Sequence, residues 1–402
     1  MSVEVSPGIS AIRAVPRSVV ALGFVSLFMD ISSEIIHSLL PVFLVAIIGA
    51  SALSVGFIEG IAEATSQVAK LFSGAISDWI GKRKPLVLAG YGLSALTKPL
   101  FPLASGVGVV VTARVIDRIG KGIRGAPRDA LIGDVTPVEL RGTAFGLRQA
   151  MDTVGAFVGP SLAMLLMAAS NDNFRLVFWV AVLPAVIAIL LILYAVQEPD
   201  VPRAAKRRPF PIQRAELGRL DGAYWWLVGL ATTLTFGRFS EAFLLLAAEH
   251  VGLAIALIPG VLVIMNLVYA GSAYPFGRLS DVISRRLILA LGVGFLIAAD
   301  IILATAGTPW QVAAGVVFWG LHMGATQGLL STLVVDAAPT DLRGTALGMF
   351  NLITGGALLV ASVLAGLLWT VFGPAATFIA GGTFAGIALF GMLSWQNHSN
   401  SK

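Results

Sequence analysis

The 402-residue chain contains no cysteine, which excludes disulfides, thiolate metal sites and cysteine nucleophiles. Charge is scarce as well: 12% of residues are Asp, Glu, Lys or Arg against 57% apolar, and mean hydropathy is +0.88. No soluble core of this size needs that balance, so lipid is the main solvent of the folded chain. HExxH, G-x-S-x-G and P-loop patterns are all missing, and acids without a nucleophile or metal pair do not make a hydrolase; the chain is not read as an enzyme. Short alternating segments of the outer-membrane barrel kind are absent too. The leading MSVEVSPGISAIRAVPRS has no cleavage pattern, and the apolar run after it carries Asp30, Glu34 and His37, so that run reads as a retained helix.

What is present is a succession of apolar runs of about 20 residues, the length a bilayer demands. Twelve spans are expected near 18–48, 52–79, 85–104, 107–133, 142–169, 174–196, 222–249, 253–277, 286–306, 309–335, 343–372 and 374–395. Only α-helices satisfy their backbone through so many lipid-length segments. Lys and Arg fall in alternate connections: Arg13 and Arg17, Lys82 to Lys84, Arg141, Arg203 to Arg219, Arg278 with Arg285 and Arg286, Arg343, and Lys402. The opposite connections hold only Arg175. By the positive-inside rule both termini are cytoplasmic. The surplus charge of +5 therefore lies beside the membrane, where it meets anionic lipid headgroups rather than nucleic acid.

One long polar break, rich in Pro and Arg, reads as a cytoplasmic linker over 197–221 between an N-terminal six-helix bundle, 1–196, and a C-terminal one, 222–402. The halves repeat. GAISDWIGKRK is echoed by GRLSDVISRR, and PVELRGTAFG by PTDLRGTALG, at nearly one offset. Such echoes mark duplicated bundles, with a substrate path expected along their seam.

At these residues the chain resembles the major facilitator superfamily, over essentially its whole length. The loop carrying Gly74, Asp78, Gly81, Lys82, Arg83 and Lys84 is similar to that family's signature loop, with Lys82 where Arg is usual. The resemblance implies an all-α polytopic fold of twelve transmembrane helices in two pseudo-symmetric six-helix bundles. It also implies a cytoplasmic gate of Gly74, Asp78, Gly81, Arg83, Asp134 and Arg141, repeated by Asp281 and Arg343. Arg114 matches the Arg of the family's fourth-helix pattern, but Arg118 stands where a glycine is expected. Gly155, Gly159 and Pro160 resemble the fifth-helix motif of proton-coupled exporters, with Ala163 at a common glycine position, which favours export over import. The block RIGKGIRGAPRDALIGD points to a poorly characterised prokaryotic branch, placing the chain in an inner (plasma) membrane.

Charged side chains in a membrane normally face water or one another. At 100° per residue, Arg114, Asp117, Arg118, Lys121, Arg124 and Arg128 share one stripe of the fourth helix. Asp30, Glu34 and His37 on the first helix, Glu59 and Glu63 on the second, and Arg148 with Asp152 on the fifth supply partners. Asp30, Glu34, Glu59, Glu63, Asp117 and Asp152 are the candidate proton-coupling and ion-pair residues. His37, Arg114, Arg118, Lys121, Arg124, Arg148, Arg238, Glu241, Trp319, His322 and Gln327 are the candidate substrate path.

Three functions stay open on these residues. The first is a proton-coupled exporter of a small organic solute, with the Arg/Lys stripe favouring an anionic one. The second is transport of a transition metal or metal chelate, drawing on Met29, His37, His322 and Met323 although no metal site is expected. The third is a transporter-like sensor. The expected partners are a small solute and lipid, with no cofactor besides the proton and no nucleic acid; the expected state is a monomer.

Overall fold

Long apolar runs broken by prolines, glycines and basic clusters give helices whose ends fall where those breaks stand. In the computed structural model the described residues are 14–80, 82–198, 217–340 and 342–399, without the side chains of 75, 78, 281 and 395–399. Gly81, the Asp78 and Asp281 side chains and most of the linker therefore lie outside them.

Among the described residues the chain forms twelve helices, several of them in two or more pieces. In the first half, α1 runs Arg17–His37 and continues through Leu40–Val42 and a π-helical turn, Phe43–Ile47; α2 is Ala52–Ile80; α3 is Lys84–Thr97. Next come α4, Val107–Val135, α5, Arg141–Ala169, and α6, made of Phe174–Val180 and Val182–Tyr194. In the second half, α7 is made of Gly222–Gly237 and Ala242–His250, α8 is Gly260–Val282, α9 Arg285–Ala304, α10 Pro309–Asp336, α11 Arg343–Phe372 and α12 Pro374–Ser399. Every expected span is matched by one of these.

Seven helical stretches are long and apolar enough to cross a membrane on their own. The rest depart for visible reasons: α2 and α4 carry charges, α3 is short, α7 is broken and α10 is rich in Gly, His, Gln and Thr. A helix of that kind is tolerated in lipid because protein or water satisfies its polar groups.

Contacts divide the chain into two compact units, one of Met1–His37 with Val68–Pro209, the other of Ser38–Gln67 with Phe210–Lys402. The division read from sequence lies at the linker; by contacts, 38–67 groups with the C-terminal residues. The reason is small side chains. A Cβ added at Gly56 or Gly60 of α2 would meet the backbone of Ser362 or Leu359 on α11, and one at Gly366 of α11 would meet Ala52 and Leu53. The Leu53 N–H also donates to Thr370 Oγ1 at 3.2 Å. Close backbone approach replaces lipid contact with van der Waals packing, the main attraction between helices in a bilayer.

In the first unit α1 packs on α5 and α6, and α3 on α4 and α6. In the second, α7 packs on α11 and α12, and α9 on α10 and α12. The repeat read in the sequence thus recurs as a repeat of helix pairings. The α1–α5 contact is close: a Cβ at Gly155 would stand 2.9 Å from Asp30 Cβ, and one at Gly159 2.6 Å from Glu34 Cβ and 3.0 Å from Ile31 O. The exporter-like glycines are therefore the positions that admit two acids of α1.

Gly159→Val should destabilise the protein by about 1–3 kcal/mol through overpacking. Gly146→Ala on the same helix, where nothing stands within 4 Å, should be neutral or slightly stabilising, because alanine favours helix. Thermal unfolding of the two variants in detergent checks the contrast.

Candidate functional site

The cation stripe of α4 meets its partners inside the first unit. Lys98, at the end of α3, and Asp117 form a pair at 3.1 Å with side chains 2% and 5% exposed, and Lys98 Nζ also donates to Ser33 Oγ of α1 at 3.0 Å. Arg114, Arg118 and Arg124 are buried. Arg114, Arg118 and Arg124 stand within electrostatic reach of Asp117. The Arg124 guanidinium lies 4.4 Å above the Tyr91 ring and donates to Ser94 Oγ at 2.9 Å, a cation–π contact combined with a hydrogen bond.

Toward the C-terminal end of α4, Arg128 donates to Asp129 at 3.1 Å and to Ser26 Oγ at 2.9 Å. Arg148 bridges two acids, Asp129 at 3.0 Å and Asp152 at 2.6 Å. On α1, His37 Nδ1 and Glu34 Oε2 are 3.4 Å apart. Arg118 and Lys121 reach Glu34 electrostatically, and Lys121, Arg124 and Arg128 reach Asp30. Asp30, Glu34, His37, Arg148 and Asp152 are each only partly buried. Glu34, Asp129, Asp152, Arg128 and Arg148 are thus held in ion pairs, and Asp30 lies within electrostatic reach of the α4 cations. Of the α2 acids, Glu59 is buried and Glu63 partly so, and both fall in the stretch that groups with the second unit.

Several of the residues expected to form a gate stand at helix ends. Arg83 donates to Ser77 Oγ at 2.6 Å and lies 3.5 Å from Asp134. The backbone N–H groups of Arg83 and Lys84 point at the Glu198 carboxylate, 2.5 and 3.1 Å away, an acidic cap for the α3 N-terminus. Lys84 Nζ donates to Val196 O at 2.7 Å. The second unit repeats this: Arg285 meets Asp336 at 2.6 Å over the same separation of 51 residues, and Arg286 donates to Met392 O at 2.6 Å. Arg141 donates to Gly133 O at 3.2 Å, and Arg343 starts α11. Asp336 was not among the residues singled out from sequence. The signal was available, since GDVTPVELRGTAFG and VDAAPTDLRGTALG align it with Asp134.

The second unit holds a cavity of about 290 Å³ lined by α2, α7, α10 and α11. Its polar lining is Gln67, Thr235, Arg238, Gln327, Ser331, Asn351 and Thr354. The lining holds one guanidinium and three carboxamides as donors and no carboxylate; its three hydroxyls already donate to backbone carbonyls of their own helices, Thr235 to Ala231 O, Ser331 to Gln327 O and Thr354 to Phe350 O. Arg238 and Gln327, both expected on the path, come together here; Gln67 was missed because one glutamine carries no pattern. Glu241 and Tyr269 lie within electrostatic reach of Arg238. Trp319 and His322 do not line this cavity. Both are fully buried: Trp319 packs on Phe239, ring centroids 5.7 Å apart, and His322 Nδ1 lies 2.8 Å from Gly292 O. Among the described residues no three His, Asp or Glu side chains cluster as a metal site would require.

A twelve-helix membrane protein of two like halves, with paired charges in its interior and a polar cavity in its second unit, is built as a secondary transporter is built. The sequence profile of the Major Facilitator Superfamily matches residues 22–358 and 226–402, and the chain belongs to that family, whose members are transporters of small molecules and not enzymes. An uncharacterized MFS-type transporter of Methanocaldococcus jannaschii is 33% identical over 384 residues, covering 93% of each chain. The inner membrane transport protein YajR of Escherichia coli is 24% identical over 397 residues, covering 93% of this chain and 82% of YajR. Among solved structures, the nucleoside transporter NupG superposes with a TM-score of 0.78 at 12% identity over 94% of this chain and 99% of NupG, a likeness of fold.

Removing one partner of the buried Lys98–Asp117 pair leaves a charge without compensation, at a cost of about 3–5 kcal/mol. Asp117→Leu should therefore lower the thermal midpoint in detergent strongly, and adding Lys98→Met should recover most of the loss. Equal damage in the single and double variants would show that the charge pairing is not the source.

Proposed function

We propose that the chain is a proton-coupled exporter of a small organic anion, working as a monomer in the inner membrane of a prokaryote by alternating access. The observation that carries the reading is the donor-rich cavity around Arg238, whose polar lining has no carboxylate. Such a surface favours a carboxylate, phosphate or sulfonate, since a guanidinium recognises planar and tetrahedral oxyanions through several N–H groups. The arginines of α4 give the first half the same sign of charge.

Proton coupling is supported by acids that have both a partner and an accessible side. Asp30 and Glu34 sit between the α4 cations and a partly exposed surface, so a change of exposure alters which form, charged or neutral, is favoured. Glu59 and Glu63 complete the set. Export rests on the resemblance of Gly155, Gly159 and Pro160 to the exporter motif, and the inner-membrane assignment on the likeness to YajR. The metal reading gains no support from the described residues, whose His and Met side chains are dispersed. The family makes transport the expectation over sensing, and solute counterflow in proteoliposomes separates the two.

Untargeted metabolite comparison of cells with and without the gene should name the solute by its accumulation in the deletion strain. With that solute in proteoliposomes, Arg238→Gln should weaken apparent affinity about 10-fold or more, the loss of one charged hydrogen bond. Under an imposed pH gradient, at least one of Asp30→Asn, Glu34→Gln, Glu59→Gln and Glu63→Gln should abolish proton dependence. Unaltered dependence in all four rejects coupling through this set.

A further inference from the structure

Asp300, about one turn before the end of α9, is 1% exposed, and neither of its carboxyl oxygens has a hydrogen-bond partner. It occupies a notch left by two glycines of α12. A Cβ at Gly381 would stand 3.0 Å from Asp300 Oδ2, 2.9 Å from the Phe239 ring and 3.2 Å from Gly237 O, and one at Gly382 would stand 3.4 Å from Asp300 Cβ. The other wall of the notch is the interruption of α7. Helix stops at Gly237 and resumes at Ala242, and Arg238, in between, lines the polar cavity. The Ser240 N–H, also in the gap, donates to Ser362 Oγ of α11 at 3.3 Å.

The elements packed on α9 are α8, α10 and α12. Within its described side chains α12 has no charged residue; α10 brings His322, whose Nδ1 is engaged by Gly292 O. From α8 come Tyr269 and, near its cytoplasmic end, Arg278; α7 adds Arg238 and Glu241. Arg285 and Arg286 lie at the start of α9 itself, several turns away. None of these gives the Asp300 carboxyl a hydrogen bond or an ion pair among the described residues. A carboxylate so enclosed would be ionised without compensation, whereas a carboxylic acid is tolerated. Broken helices in transporters are where ligand and coupling-ion sites meet.

We propose that Asp300 is a proton-binding site of the second half, neutral while the Gly381–Gly382 notch is closed, and that its ionisation moves the α7 interruption and with it Arg238 in the cavity. On release the carboxyl O–H bond breaks, the electron pair stays on the carboxylate and the proton passes to water entering the notch. The coupling half of this proposal rests on the chain being a proton-driven transporter; the neutral carboxyl does not.

Two readouts on the full chain in lipid bilayers test it without the solute. Infrared spectra at neutral pH should contain the carbonyl-stretch band of a protonated carboxylic acid that Asp300→Asn removes and Asp300→Glu shifts. The chain has no cysteine, so Ser240→Cys supplies a single thiol in the interruption. Its maleimide labelling, normalised to unfolded protein in the same buffer, should rise about fivefold from mildly acidic to mildly alkaline buffer, a modest population shift. With Asp300→Asn added, that rise should vanish. Absence of an Asp300-dependent band overturns the proton site. A band with labelling that responds to pH equally in both backgrounds overturns the link to Arg238. Transport results on the Asp30, Glu34, Glu59 and Glu63 variants bear on the proposed function alone, so the two readings fail separately.

Discussion

A charge held inside the hydrocarbon layer must be answered by another charge, a hydrogen bond or water, and the first unit is organised around that requirement. The α4 row from Arg114 to Arg128 could not face lipid along its length. Its neighbours follow from that: Lys98 and Asp117 close against each other, Tyr91 and Ser94 of α3 receive Arg124, and Asp129 is shared between Arg128 and Arg148. The tight α1–α5 crossing serves the same end, since the glycines at 155 and 159 leave room for the first carbons of Asp30 and Glu34.

The two units meet this requirement differently. The first is ionic, with many partners and few vacancies. The second has few intramembrane charges, and its polar groups are carboxamides, hydroxyls and one arginine around a cavity. An ionic lattice resists rearrangement because each broken pair leaves a costly remainder, whereas neutral hydrogen bonds can be exchanged with a ligand or water at small net cost. That contrast makes the second unit the more readily rearranged of the two.

The helix pattern was legible because it depends on features that repeat along the chain: span length and duplicated motifs. All twelve spans fall where apolar periodicity placed them, and the α4 stripe faces acids because helical geometry leaves no other arrangement. What was not legible depends on which face a single residue presents. His322 and Trp319 looked like path residues, yet they pack within the second unit, because helix phase is set by neighbours such as Gly292 and Phe239. Gln67 carries no signal until α2 is seen beside α11. The grouping of 38–67 with the C-terminal residues is likewise hidden, since it arises from glycine contacts between distant segments and not from the linker that separates the halves in sequence.

The interruption of α7 joins these strands of argument. GRFSE in α7 echoes SSE in α1, and the two segments differ in what surrounds them: on α1 the acid Glu34 is flanked by His37 and faced by cations, while on α7 the helix opens and presents Arg238 instead. A helix that opens gives up backbone hydrogen bonds, and in a membrane that loss is tolerated only beside protein or water able to replace them. Ser362 does so for Ser240. The glycines of α12 let the opened segment approach closely. The second half therefore gathers an interrupted helix, the one cation lining its cavity and the Asp300 carboxyl around a single gap of four residues.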